Sequence, residues 1–240
     1  KPKGLVETRM HYCPGCFHGN VHKLLMEVVE ELDIQDKIIG VCPVGCSVFA
    51  YDYMDVDMQE AAHGRAAAVA TAISRMHPDK YVFSYQGDGD LAAIGTAETI
   101  HACNRGENIV FIFINNGIYG MTGGQMAPTT LPGQVTTTSP HGRDTKSAGM
   151  PLKMAEIVAT FDGVAYSERV SCNTPANARK TKKALKKAMM VSEKKLGTSF
   201  IEVASNCPSG WKCTPVQSLD WIKQEQIPYF PLGVFKTPEL

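Results

Sequence analysis

Apolar positions near the start of the chain recur at helical spacing. Val21, Leu24, Leu25, Val28 and Leu32 fall at i, i+3, i+4, i+7 and i+11, which predicts an amphipathic helix over 19–32. Lys37 to Val41 is a short β-branched run and predicts a strand. The Ala-rich stretch from Ala61 to Met76 predicts a buried helix stopped by His77-Pro78. Tyr81 to Tyr85 predicts a strand that stops at Gly87, and Leu91 to Arg105 a helix ending near Gly106. Ile109 to Ile114 is apolar at every position, as in a central strand covered by helices on both faces. Residues 117–150 are rich in Gly, Pro, Thr and Ser and show no period. An aperiodic stretch of that length inside a compact domain is often functional. A helix over 151–161, a strand over 163–167, a helix over 174–194 and a strand over 199–204 follow. The remainder, about 206–240, is rich in Pro and aromatic residues and reads as an arm.

Strands alternating with helices predict a single α/β domain over 1–240, with a mostly parallel sheet and helices on both faces. Ligands of such sheets sit at the carboxyl ends of the strands, so the residues after Tyr85 and Ile114 are the first candidates.

Composition narrows the partners. The chain is 44% hydrophobic and 20% charged, which excludes disordered and collagen-like classes. Its 24 Lys+Arg balance its 24 Asp+Glu, so neither nucleic acid nor an anionic membrane is an expected partner. The basic run Arg179 to Lys187 has helical spacing and reads as a solvated helix face. No run of apolar residues is long enough for a transmembrane helix. Lys1 to Met10 lacks the apolar stretch of a signal peptide, so a cytoplasmic location and reduced thiols are expected for the eight Cys.

Two constellations carry chemistry. Gly87-Asp88-Gly89-Asp90 follows one predicted strand, and Asn115-Asn116-Gly117 follows another, with residues 90–114 spanning one helix and one strand between them. Each motif alone is an ordinary turn. Together they place backbone N–H groups, a carboxylate and an amide oxygen at adjacent strand ends, in what reads as a surface loop. That set suits a phosphate group and Mg²⁺. The second constellation is Cys13-Pro-Gly-Cys16, Cys42 and Cys46 after the first strand, and Cys207 and Cys213 after the last apolar one. A CxxC serves a redox disulfide, a zinc site or an iron–sulfur corner. Cys103 and Cys172 read as buried structural thiols.

GDG and NN at this spacing resemble the fingerprint of thiamine diphosphate enzymes. With HYCPGCFHGN (11–20), PVGCSVFAYD (43–52), EAAHGRAAAVATAI (60–73), GDGDLAAIGTAETIHACNRG (87–106), INNGIYGMTGGQMAPTT (114–130) and EVASNCPSGW (202–211), the chain resembles the β subunit of 2-oxoacid:ferredoxin oxidoreductases over about residues 10–220. The resemblance implies Mg²⁺ held by the side chains of Asp88 and Asn116 and the carbonyl of Ile118. It places Gly87, Gly89 and Asp90 at the diphosphate, and His63, Gly64 and Tyr119 beside the cofactor. Thr122, Gly123, Gly124 and Gln125 match the loop that follows. It further implies a [4Fe-4S] cluster on Cys13, Cys16, Cys46 and Cys207. Phe17 stands where the family usually has Gly. His63 has a plainer alternative, a helix-terminal His satisfied by backbone. Between the paired thiols, Cys46 follows the conformationally free Gly45 and Cys207 follows the strand directly. Cys42 reads as a small core hydrophobe, and Cys213 lies further from the sheet.

The implied activity is oxidative decarboxylation of a 2-oxoacid to acyl-CoA and CO₂, with electrons passed to ferredoxin. CSVFAYDYMDVD looks closest to enzymes of branched-chain acids such as 2-oxoisovalerate. The family's catalytic Glu sits on a partner α subunit, and no residue here matches it, so no catalytic residue is assigned. An α subunit, a γ subunit and a ferredoxin-like subunit are the expected partners. The alternatives are half of a non-redox thiamine diphosphate decarboxylase, and a zinc-stabilised subunit without chemistry.

Overall fold

The computed structural model describes residues 1–239. Val110–Asn115 (β4) is buried at every position and forms the middle of a seven-stranded sheet. On one side lie Tyr81–Gly87 (β3), Ile38–Cys42 (β1) and Asp57–Glu60 (β2). On the other lie Thr198–Ala204 (β8), Val164–Ser171 (β7) and Gly233–Lys236 (β9). All pairings are parallel except that of β9 with β7.

Side chains alternate between two cores. Val110, Ile112 and Ile114 face His18–Leu32 (α1) and Pro175–Glu193 (α6), whose Leu25, Val28, Leu185 and Met189 are buried there. Phe111, Phe113 and Phe200 face Ala66–Met76 (α2), Thr96–Arg105 (α3) and Met154–Ala159 (α5). The apolar run of β4 is the signature of a strand buried on both faces.

Several elements differ from the pattern reading. The predicted helix over 61–76 begins only at Ala66, because Gly64 turns the chain at φ +75°. The predicted helix over 91–105 is broken at Gly95. Asp90–Ile94 forms a π turn, closed by Gly95 N–H donating to Asp90 O at 2.7 Å, before α3 begins. The break admits another backbone: a β-carbon on Gly95 would lie 2.8 Å from Gly64 O. Strand β2 is polar and lies at the sheet edge, so hydrophobic periodicity does not reveal it.

The aperiodic stretch 117–150 is ordered by a hairpin of Ile118–Tyr119 (β5) with Gln125–Met126 (β6) and by the short helix Thr145–Ala148 (α4). Arg143 holds much of the rest. Its guanidinium donates to the carbonyls of Ala127, Pro128, Thr130, Ala148 and Gly149 at 2.7–3.2 Å.

The expected arm folds back onto the sheet. It contains Pro215–Trp221 (α7), capped by Thr214 and Gln217, then Ile227–Tyr229 (α8) and β9. Arg169 on β7 fastens it. This fully buried guanidinium pairs with Glu202 and Glu156, donates to Pro231 O, and lies against the Phe230 and Phe235 rings. Among the described residues, no helix is long and apolar enough to cross a membrane.

Candidate cofactor and cluster sites

Strand register brings the two motifs together. Gly87 pairs with Ile114, so Asp88 and Asn116 leave adjacent strand ends. Asp88 is not on a surface loop, as its sequence context suggests; it is 2% exposed. Its carboxylate accepts from Gly89 N–H at 3.0 Å, Thr129 Oγ1 at 2.8 Å and Ile118 N–H at 3.2 Å. The same Ile118 N–H also reaches Asn116 Oδ1 at 3.2 Å. Burial pushes the Asp88 carboxyl up to about 6, and those hydrogen bonds only partly oppose it. Among the described residues, no Lys, Arg or His forms an ion pair with Asp88. A buried carboxylate without a cation beside an amide oxygen is a donor set that fits Mg²⁺.

Asp90 does different work. One of its oxygens accepts from Gly64 N–H at 2.6 Å and lies 2.5 Å from His63 Nδ1. The other accepts from Gln86 Nε2 at 2.6 Å. Its carboxylate is therefore committed to the chain itself, leaving its backbone to face a ligand. His63 is satisfied by this carboxylate rather than by backbone, and is oriented by it.

The pocket between these motifs has a volume of about 90 Å³ and is lined by Gly45, Gly87, Asp88, Gly89, Asn116 and Tyr119, among others. His63, Asp90 and Ile118 also line it. A β-carbon on Gly87 would meet nothing within 4 Å, so the glycine leaves open space inside the pocket. Open backbone, a buried acid and an amide oxygen together fit a metal-bound diphosphate.

A second cavity of about 240 Å³ adjoins the first. Cys13, Cys16, Cys46 and Cys207 line it with His11 and Tyr12. His18, Cys46, Asn116, Gly120 and Met121 border both cavities. A β-carbon on Gly120 would lie 3.1 Å from Cys207 Sγ and 3.5 Å from Cys46 Sγ, so this glycine sits against both sulfurs.

Burial pushes the Cys16, Cys46 and Cys207 thiols up to about 12, and each of the three is raised further by its neighbours within the set. Cys42 is also raised by burial, to about 11, but its charged neighbours are Glu60 and Asp52. Cys213 is raised by burial alone. Of these six cysteines, Cys13, Cys16, Cys46 and Cys207 line the cavity and Cys42 and Cys213 do not. Gly45 holds φ +122°, the turn that presents Cys46. Phe17 sits at φ −79° and is buried, so no glycine is needed at that position. Among the described residues, no three His, Cys, Asp or Glu side chains close on a single ion. The four cysteines border one cavity.

Thr129 and Trp211 stand inside motifs that carry the family resemblance, but the sequence assigns no role to either of them or to Gln86. Thr129 lies 41 positions from the Asp88 carboxylate it touches. The Trp211 indole donates to Asn116 O at 3.0 Å.

The family described as thiamine pyrophosphate enzyme, C-terminal TPP binding domain, matches residues 43–203. The ketoisovalerate oxidoreductase subunit VorA of Methanothermobacter thermautotrophicus is 47% identical over 97% of this chain and 49% of its own length. The chain therefore spans about half of that relative. The 2-oxoglutarate synthase subunit KorB of Methanocaldococcus jannaschii is 41% identical over 82% of this chain and 69% of its own. The 2-oxoglutarate:ferredoxin oxidoreductase from Magnetococcus marinus superposes with a TM-score of 0.81 at 23% identity, covering 99% of this chain and 84% of that one, a likeness of fold. The chain belongs to the thiamine pyrophosphate enzyme family through its TPP-binding domain, among the subunits of 2-oxoacid:ferredoxin oxidoreductases.

Proposed function

We propose that this chain is the thiamine diphosphate- and [4Fe-4S]-binding subunit of an enzyme that oxidatively decarboxylates a 2-oxoacid to acyl-CoA and CO₂ and passes electrons to ferredoxin. The observation that carries the reading is the shared wall of the two cavities, where Cys46, Asn116 and Gly120 border both. A cluster site directly beside a cofactor site separates an oxidoreductase from a simple decarboxylase.

Asp88 and Asn116 would hold Mg²⁺ by side chain and Ile118 by its carbonyl, with the diphosphate against the backbone of Gly87, Gly89 and Asp90. Thiamine diphosphate supplies the electron sink for decarboxylation when bound. The chain's own residues bind and orient it. Asp90 fixes His63 at the pocket wall and accepts from the Gly64 N–H behind it, Tyr119 covers Gly89, and Thr129 steadies Asp88. Cys13, Cys16, Cys46 and Cys207 would hold the cluster. A polynuclear cluster takes four thiolates and fills space, which suits a 240 Å³ cavity better than one zinc ion does.

The pocket of about 90 Å³ suits the diphosphate end of the cofactor, not the whole of it. The rest would be covered by another subunit or domain, which would also bring the catalytic Glu. We assign partners accordingly: an α subunit, a γ subunit and a ferredoxin-like subunit, in the cytoplasm. The relative named for ketoisovalerate and the stretch CSVFAYDYMDVD favour a branched-chain 2-oxoacid. The test is CoA-dependent reduction of ferredoxin or viologen by the assembled enzyme, with a panel of 2-oxoacids and metal analysis. The reading predicts iron, and highest activity on branched-chain acids. Zinc in place of iron, or decarboxylation without reduction of the dye, would overturn it.

A further inference from the structure

The loop that carries Cys207 also reaches the metal-binding turn. It leaves β8 after Ala204 and curls tightly past Cys207, with Trp211 N–H donating to Cys207 O at 2.8 Å and Cys213 N–H to Pro208 O at 3.0 Å. Gly210 packs between the two sites. A β-carbon there would lie 2.8 Å from Cys207 Sγ and 3.3 Å from Ile118 Cγ2. One residue on, the Trp211 indole N–H donates to Asn116 O at 3.0 Å. The indole is held from behind by Trp221, with ring centroids 4.3 Å apart. Asn116 thus offers its side chain toward Asp88 while a residue of the cysteine loop grips its carbonyl. The neighbouring carbonyl, that of Asn115, accepts from Gln226 Nε2 at 2.8 Å, so that side of the turn is fixed independently of the loop.

Resting on the cofactor assignments above, we propose that Trp211 is a positioning residue that couples the two sites. Its indole N–H fixes the Asn116 peptide from the same tight turn that carries Cys207, so a bound cluster, by anchoring that turn further, strengthens binding of Mg²⁺–thiamine diphosphate. Coupling between equilibrium affinities is reciprocal, so the bound cofactor slows loss of the cluster in return. Trp211 contributes no atom to either ligand; it acts through Asn116.

The test uses the full chain with the subunits that co-purify. Thiamine diphosphate affinity is measured by calorimetry at fixed Mg²⁺, in cluster-loaded and chelator-treated protein, for wild type and Trp211→Phe. The Phe variant keeps a ring against Trp221 and removes the N–H. Wild type should bind about five-fold more tightly when loaded, the effect of one hydrogen bond of ~1 kcal/mol. Trp211→Phe should retain its iron and bind equally in both states. A merely structural role would lower its melting temperature and leave the ratio intact. Equal affinity of the two wild-type forms would overturn the coupling without any variant. So would a five-fold ratio persisting in Trp211→Phe. No binding of thiamine diphosphate in any form would overturn the cofactor assignment itself, and the coupling with it.

Discussion

Tyr119 lies across the α-carbon of Gly89, and its hydroxyl donates to the Gly89 carbonyl at 3.2 Å. A β-carbon on Gly89 would overlap the Tyr119 ring, whereas one on Gly87 would enter open space. The two glycines of GDG therefore serve different ends: one admits a side chain, the other leaves room for a ligand. Gly89→Ala should lower both the melting temperature and thiamine diphosphate affinity. Gly87→Ala should leave stability within about 1 kcal/mol of wild type, since the backbone there is not in the left-handed region. Its cofactor affinity should still fall at least about ten-fold, the cost of overfilling a close contact by one methyl. Thermal melts and calorimetry on both variants read the contrast.

Asp90 accepts from Gly64 and Gln86 and orients His63 while 2% exposed. Asp90→Asn keeps the shape but cannot accept at both positions. Leaving a buried donor unpaired costs roughly 1–3 kcal/mol. Urea unfolding of the cofactor-free protein should show that loss, and added Mg²⁺–thiamine diphosphate should restore little of it, because His63 would no longer be held at the pocket wall.

The parts legible in the sequence are those whose signal is local. The apolar runs of β3, β4 and β8 and the helical spacing of α1 mark a parallel sheet with covered faces. Strand–helix–strand connectivity then brings Asp88 to Asn116. The arm is misread because its composition carries no trace of Arg169, whose buried charge selects Glu202, Glu156 and two Phe rings from distant parts of the chain. The burial of Asp88 is misread for a similar reason. GDGD has the composition of an exposed turn, and the Thr129 loop that covers it is distant in sequence. The helix starts at 61 and 91 are misplaced because the Gly64–Gly95 backbone contact is tertiary.

The proposed cluster takes Cys13, Cys16, Cys46 and Cys207 and leaves out the nearby Cys42 and Cys213. Cys46→Ser and Cys207→Ser should each lose cluster iron and the EPR signal of the reduced protein. Cys42→Ser and Cys213→Ser should keep both. Cys42 is fully buried, so its substitution should cost stability, which iron content does not read. Loss of the cluster in the Cys42 or Cys213 variant, with retention in the Cys46 or Cys207 variant, would reverse the assignment.

Acid should destabilise the fold through His22. Its imidazole is buried, and burial holds its pKa well below 6.5, with His18 and His11 adding to the shift. The unfolded chain, with an ordinary His, takes up that proton first as pH falls below about 6.5. The stability contribution is therefore complete above 6.5 and lost below it, at up to about 1.4 kcal/mol per pH unit. Urea midpoints of cluster-free protein between pH 7 and 5 should fall more steeply in wild type than in His22→Gln. Parallel slopes would contradict the assignment of this acid sensitivity to His22.

Whether Asp88 and Asn116 hold Mg²⁺–thiamine diphosphate is decided by calorimetric titration of thiamine diphosphate into wild type and Asp88→Asn, with and without Mg²⁺. Asp88→Asn preserves the shape of a side chain that is buried and hydrogen-bonded to Thr129, Gly89 and Ile118. Wild type should bind only with Mg²⁺ present, and Asp88→Asn should lose at least about a hundred-fold in affinity, ~3 kcal/mol or more, while keeping its folded circular dichroism spectrum. Binding that is independent of Mg²⁺, or of equal strength in the folded Asp88→Asn protein, would rule out Asp88 as a ligand of the cofactor's metal.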